Sequence, residues 1–161
     1  MDTQVTVKTG KNHRNGEKGQ NLVEFAMVVP IFLILVFSIV DFGMGFHAWI
    51  TVTNAAREGA RIGAVGANFD DIRTRVATTS NGLLNPTEED IRVRYVDLDN
   101  NGKIDRGDSV VVESDYEYQL ITPLKAFLGV AFDSINFSSC TDMRLELRVL
   151  GAGNPNGGTG C

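Results

Sequence analysis

Hydrophobic and polar positions divide the chain into three regimes. Residues 1–19 are polar, with no apolar side chain between Val7 and Leu22. A stretch of this kind buries nothing and is expected to be disordered by itself. From Leu22 to Ile50 the chain is apolar almost throughout, and Phe25–Val40 carries no charge at all. A helix needs about 20 such residues to cross a hydrocarbon core of about 30 Å. Leu22–Val40 meets that length with one charge, Glu24, near its start. The run is too long for a core strand. A buried core helix is the alternative, but little else in the chain is available to cover it on all sides.

Nothing after Pro30 interrupts the helical pattern, so the helix is expected to continue through Trp49 and Ala56 to about Gly63–Gly66. Beyond Thr53 its residues become small. Ala56, Ala60 and Ala64 fall on one stripe, and Ala55, Gly59 and Gly63 on the next. Small residues at this spacing let another backbone approach closely. That backbone belongs either to the chain's own globular part or to a second subunit, and both contacts are compatible.

The third regime, 67–161, mixes periods. Asn68 is placed to cap a helix over Phe69–Thr79 whose Ile72 and Val76 share a face. Ile91–Val96 alternates as a strand, Ser109–Tyr118 reads as a second, and Met143–Val149 as a third. Pro123–Leu128 reads as a turn or short helix, and Gly151–Cys161 as irregular. The predicted class is α+β: a long N-terminal hydrophobic helix followed by a small antiparallel sheet with a short helix. The divisions are 1–19, 20–66 and 67–161.

Charge narrows the function. The 161 residues carry a formal −5, with a pI near 5.0, which argues against nucleic acid as a partner. Lys8, Lys11, Arg14 and Lys18 outnumber Asp2 and Glu17 before the apolar run. Positive flanks stay cytoplasmic, so the C-terminal part is expected outside a single-pass span in the cytoplasmic membrane. The run lacks the short core and small-residue cleavage site of an ordinary secretory signal. No nucleophile–base arrangement and no phosphate loop is present, and the expectation is that the protein is not an enzyme.

The junction Gly19-Gln20-Asn21-Leu22-Val23-Glu24 places a glycine before the helix and a glutamate five residues after it. This resembles the leader junction of type IV pilin precursors. The longer string resembles the TadE-like family more closely: Val23-Glu24-Phe25-Ala26, Val29-Pro30, Asp41-Phe42-Gly43 and Asn54-Ala55-Ala56-Arg57-Glu58-Gly59-Ala60-Arg61. Those are minor pilins or pseudopilins of tight-adherence (Tad) pili. The resemblance implies a leader over 1–19, cleavage by a prepilin peptidase between Gly19 and Gln20, and other pilin subunits as partners. It implies that Glu24 pairs with the N-terminal amine of a neighbouring subunit; a carboxylate near a helix N-terminus also favours the macrodipole. Pro30 is expected to kink or locally melt the helix, the latter aiding passage from bilayer to filament. Asp41 is expected at the membrane interface. The implied location is the cytoplasmic membrane and then a surface pilus. The rival readings are a signal-anchored calcium-binding protein that never enters a filament, and a major pilin that builds the shaft.

Residues 97–108 fit a twelve-residue calcium-loop template. Asp97, Asp99 and Asn101 stand at positions 1, 3 and 5, and Gly102 at 6. Lys103 offers a carbonyl at 7, Asp105 stands at 9 and Asp108 at 12. Calcium is the expected ion, in a structural role; a polar hairpin tip is the alternative. Cys140 and Cys161 are the only cysteines, and in an exported domain they are candidates for a disulfide, against free thiols or a lipid attachment.

Overall fold

The computed structural model describes residues 15–123, 134–149 and 160–161. Five elements follow in order: α1 (Asn15–Ala64), α2 (Phe69–Thr79), β1 (Ile91–Val96), β2 (Ser109–Gln119) and β3 (Ser134–Arg144). The architecture is α+β, a long apolar helix followed by a short helix and a three-stranded antiparallel sheet. The sheet order is β1-β2-β3, with the longest continuous apolar stretch, Val110–Val112, in the central strand.

α1 is continuous over 50 residues, including Pro30. No melted segment occurs there. Proline removes only the N–H that would bond the Ala26 carbonyl, and the flanking turns hold. The helix starts at Asn15, so residues 15–19 are helical where disorder was expected, and it stops at Ala64, within the expected Gly63–Gly66. Its stop is a Schellman motif. Ala67 N–H reaches Ile62 O at 3.2 Å and Gly66 N–H reaches Gly63 O at 2.9 Å. Gly66 takes φ +89°, a value a Cβ would oppose. α2 begins where Asn68 Oδ1 accepts from Asp71 N–H at 2.8 Å.

The core lies between one face of α1, α2 and the inner face of the sheet. Val52, Ala55, Ala56 and Ala60 are fully buried against Ile72, Val76, Ile91, Val110 and Val112. The small-residue stripes are thus used within the chain. A Cβ on Gly59 would sit 2.3 Å from Val76 Cγ2, and one on Gly63 would sit 3.0 Å from Val110 Cγ2. Glycine at these two positions sets how closely α2 and β2 approach the helix. The outer face of the sheet is ionic. Arg94 meets Glu113 at 2.8 Å, and Arg92 meets Asp115 at 2.6 Å.

The third strand is displaced from its expected place. β3 is Ser134–Arg144, and residues 145–149 are not strand. The register explains the difference. Ser109, the first residue of β2, pairs with Arg144, so the chain beyond Arg144 has no β2 neighbour to extend a ladder. Leu145 instead turns onto the core, buried, with its N–H on Asp108 O at 2.7 Å. Of the expected turn at Pro123–Leu128 and the irregular tail Gly151–Cys161, residues 124–128 and 151–159 lie outside the described residues.

Candidate functional site

α1 changes character at one residue. From Gly19 to Val40 no residue is buried, and only Val29, Leu33, Ile34, Val36, Phe37 and Ser38 are half-buried. Ten large hydrophobic side chains between Leu22 and Val40 are exposed, Phe25, Met27 and Ile31 among them. At about 1.5–3 kcal/mol per side chain, leaving ten in water costs roughly 15–30 kcal/mol, more than the whole stability of an ordinary domain. This half requires lipid or other protein around it. Gly19–Val40 is about 33 Å long at 1.5 Å per residue, which matches a hydrocarbon core. It is the one helix among the described residues long and apolar enough to cross a membrane. The alternative of a buried core helix is not met, and the length and exposure are those expected of a span.

From Asp41 onward one face is buried: Asp41, Gly45, Ala48, Val52, Ala55 and so on through Gly63. The spacing alternates three and four residues, which is the face of a helix on a core. Asp41, expected at the membrane interface, has its carboxylate buried against the end of the sheet, 4% exposed. Its Oδ1 accepts the N–H of Ile121 at 3.1 Å and of Thr122 at 3.2 Å, and its Oδ2 accepts the Thr122 hydroxyl. These donors follow the end of β2. Asp41 therefore clasps the sheet to the helix where the free segment ends. Burial pushes the nearby Tyr118 hydroxyl up from its ordinary pKa, and the Asp41 charge adds to that.

The residues at the expected leader junction are all on the uncovered half. Gly19, Gln20 and Glu24 are exposed, and so is Pro30. Glu24 makes no hydrogen bond or ion pair with any described residue. A carboxylate embedded in apolar surface is costly without a partner.

The acidic loop joins β1 to β2 at the opposite end of the domain. Asp97 and Asp108 are buried, at 8% and 2%, and Asp99 is exposed. Each offers a carboxylate oxygen within 4.8 Å of the others. The loop is wound around these carboxylates. Gly102 N–H donates to Asp97 Oδ2 at 2.7 Å, Leu98 N–H to Asp108 Oδ1 at 3.0 Å, and Asp105 N–H to Asp108 Oδ2 at 2.8 Å. Burial opposes the charge on Asp97. The Gly102 N–H, Asp99 and the Asn101 and Asn100 N–H groups outweigh it, and its pKa lies below the ordinary value. Asn101 turns its amide nitrogen to Asp99 at 2.9 Å and Asp105 at 3.3 Å, while its oxygen accepts from Lys103 N–H. The tight path uses positive φ at Asn100, Gly102 and Gly107, and Ile104 anchors it in the core. Hard oxygen donors of this kind suit calcium. Asp97, Asp99 and Asp108 converge; Asp105 and Asn101 lie beside them, and Asn101 would have to turn its amide to offer oxygen.

Cys140 faces outward on β3 and is bonded to Cys161, with a Cα–Cα distance of 5.8 Å. The bond brings the end of the chain onto the outer side of the sheet.

Two features had no forecast in the sequence reading. One is the Asp41 clasp; a lone carboxylate between apolar segments was its only signal. The other is Glu58, which accepts from Arg61 at 2.9 Å and from Arg75 of α2 at 2.7 Å. Hydrogen bonds from Arg61 and then Arg75 hold the Glu58 pKa at about 2, against an ordinary 4.5.

A bilayer-length uncovered helix that runs without a linker into a small sheet domain defines a pilin-like architecture. Residues 19–61 match the family model described as TadE-like protein. The matched stretch begins at Gly19 and lies wholly within α1. The matched family is a structural one associated with Tad pili, and the match covers most of the first helix of this chain. No curated protein and no solved structure matches the chain.

Proposed function

We propose that the protein is a pilin-like subunit of a Tad-type pilus, a minor pilin or pseudopilin. It is made as a single-pass precursor with residues 67–161 outside the cytoplasmic membrane. A prepilin peptidase cuts between Gly19 and Gln20, and the freed subunit packs among other pilin subunits through α1. The observation that carries this reading is the uncovered helix from Gly19 to Val40, coextensive with the start of the family match. Such a surface is stable in a bilayer and equally stable among copies of similar helices. Exchange between the two is what a subunit that leaves a membrane for a filament requires.

Cleavage would make Glu24 the fifth residue. Its carboxylate would then meet the new amine of Gln20 on a neighbouring subunit, satisfying two charges that are each costly alone in apolar surroundings. Pro30 would mark where the helix yields during that transfer. The loop 97–108 would hold calcium through Asp97, Asp99, Asp108, Asp105, Asn101 and the Lys103 carbonyl, to rigidify the hairpin outside the cell.

The test is the N-terminal residue of the protein recovered from membranes and from sheared surface material. Gln20 as first residue supports the reading, and Gly19→Ala should then block processing. An intact leader in every fraction would leave a signal-anchored domain that is not assembled. Stoichiometric recovery in purified filaments would instead make the subunit the shaft.

A further inference from the structure

We propose that the outer end of the span carries a lipid-contact face, formed by Phe42, Phe46 and Trp49 of α1 with Ile121, Ile135 and Phe137 of the sheet end, which rests in the headgroup layer of the outer leaflet. The proposal rests on the membrane reading above. It adds that the domain is not held clear of the bilayer but leans on it.

Several observations converge. The three aromatic residues form a ladder on one side of α1. Phe42 and Phe46 stack at 6.4 Å between ring centroids, and Phe46 and Trp49 lie 5.6 Å apart. They remain exposed although the sheet packs beside them; Phe42 is 77% and Trp49 41% accessible. Ile121 and Ile135 are exposed at the same end of the domain, and Ile121 is bonded to the Asp41 clasp that marks the end of the free helix. Between these parts runs a largely apolar groove of about 240 Å³, lined by Asp41, Gly45, Ile135 and Phe137 beside the three aromatic residues.

Height selects the occupant. With Asp41 at the hydrocarbon boundary, the Trp49 backbone stands about 12 Å beyond it at 1.5 Å per residue. Helical side chains lean toward the N-terminus, which brings the indole back by several ångströms. The ring thus falls in the headgroup region, which adds about 5–8 Å to each side of the core. Tryptophan is enriched at that level because its body is apolar and its N–H is polar. Phe42–Ala56 holds no Asp, Glu, Lys or Arg, so the helix places no formal charge in this layer before Arg57. The outer sheet face, with Arg92, Glu113 and Asp115, points elsewhere and stays in water.

Trp49 is the only tryptophan and reports directly on this face. The full chain is reconstituted in phosphatidylcholine vesicles, with lipids brominated either near the glycerol or near the acyl terminus. Shallow bromines are expected to quench Trp49 about twofold more than deep ones, with weak quenching by aqueous acrylamide. Strong acrylamide quenching without lipid quenching would put the face in water and overturn the proposal. Protection from both quenchers would mean that a second copy or another protein covers it, and would also overturn it. The double variant Phe32→Trp, Trp49→Phe separates the two levels of inference. Deep bromines must quench it if α1 spans the bilayer. If they do and Trp49 escapes lipid, only the leaning face is wrong; if they do not, the membrane reading falls as well.

Discussion

Replacing Gly59 by alanine tests the idea that the small residues of α1 serve its own domain. The added Cβ would lie 2.3 Å from Val76 Cγ2, against an ordinary contact of about 3.5–4.0 Å. Something must move by more than an ångström. Val76 cannot rotate away, because it is fully buried and a β-branched side chain in a helix has one strongly preferred rotamer. Overpacking of this kind costs about 1–3 kcal/mol. Alanine returns up to about 1 kcal/mol through helix propensity, so the net loss is about 0–2 kcal/mol, while the gap from an unhindered Gly→Ala change stays at about 1–3 kcal/mol. For a domain of roughly 100 residues each 1 kcal/mol is about 4–8 °C in Tm, so Gly59→Ala should melt at least about 4 °C below such a change. Gly43→Ala is the internal control. Nothing lies within 4 Å of a Cβ there, so the same substitution should be neutral or raise Tm slightly. Val76→Ala in the Gly59→Ala background should cost less than it does alone, with a coupling of about 1 kcal/mol or more. The assay is thermal unfolding of the detergent-solubilised full chain followed by near-ultraviolet circular dichroism. If Gly59→Ala behaves like Gly43→Ala, the stripe does not pack against α2 and the reasoning is wrong.

Other perturbations address the remaining features. Asp41→Ala strands the N–H groups of Ile121 and Thr122, and is expected to cost about 2–4 kcal/mol and to speed hydrogen exchange at those two amides; unchanged exchange would remove the clasp. Glu58 is depressed from 4.5 to about 2, so its contribution to stability is complete above pH 4.5 and fades as pH falls through 2. Its carboxyl resonance should titrate near pH 2, and Arg61→Gln should move that midpoint upward; no movement would contradict the assignment. For a weak extracellular calcium site, 10 mM calcium should stabilise the protein by about 1.4–2.7 kcal/mol relative to chelator. Asp108→Asn should abolish that difference, and equal Tm values with calcium and with chelator in the parent would refute the metal.

How much of this was legible in the sequence depended on whether a signal was local. α2 and β1 occupy their expected residues because a cap and a clean alternation are written in consecutive positions. β3 was misplaced for the opposite reason. Met143, Leu145, Leu147 and Val149 alternate well, but the place of a strand is decided by its partner, and β2 ends the ladder at Arg144. The true strand carries Ser139 and Thr141 on its inner side, which dilutes the apolar pattern. The stripes of Ala and Gly announced a close approach without naming what approaches; α2 and β2 supply it through Ile72, Val76 and Val110. Asp41 was read from its neighbours in hydropathy, whereas its bonds reach Ile121 and Thr122, eighty residues onward. In the acidic loop, the spacing predicted converging carboxylates. The orientation of the Asn101 amide is a property of the folded hydrogen-bond network and is not encoded in spacing.

The absence of a linker within α1 has a mechanical meaning. One attachment of the helix to the sheet lies at Asp41, and another where Ala64 O accepts from Glu146 N–H at 2.9 Å. These sit about 35 Å apart along a single rigid rod. A pull directed along that rod loads both attachments and the packing between them together, in shear. No hinge residue takes up the tension and no edge is offered for peeling. Force on the uncovered end of α1 therefore moves the whole domain as a unit, and in the proposed filament the subunit should part from its neighbours before it unravels.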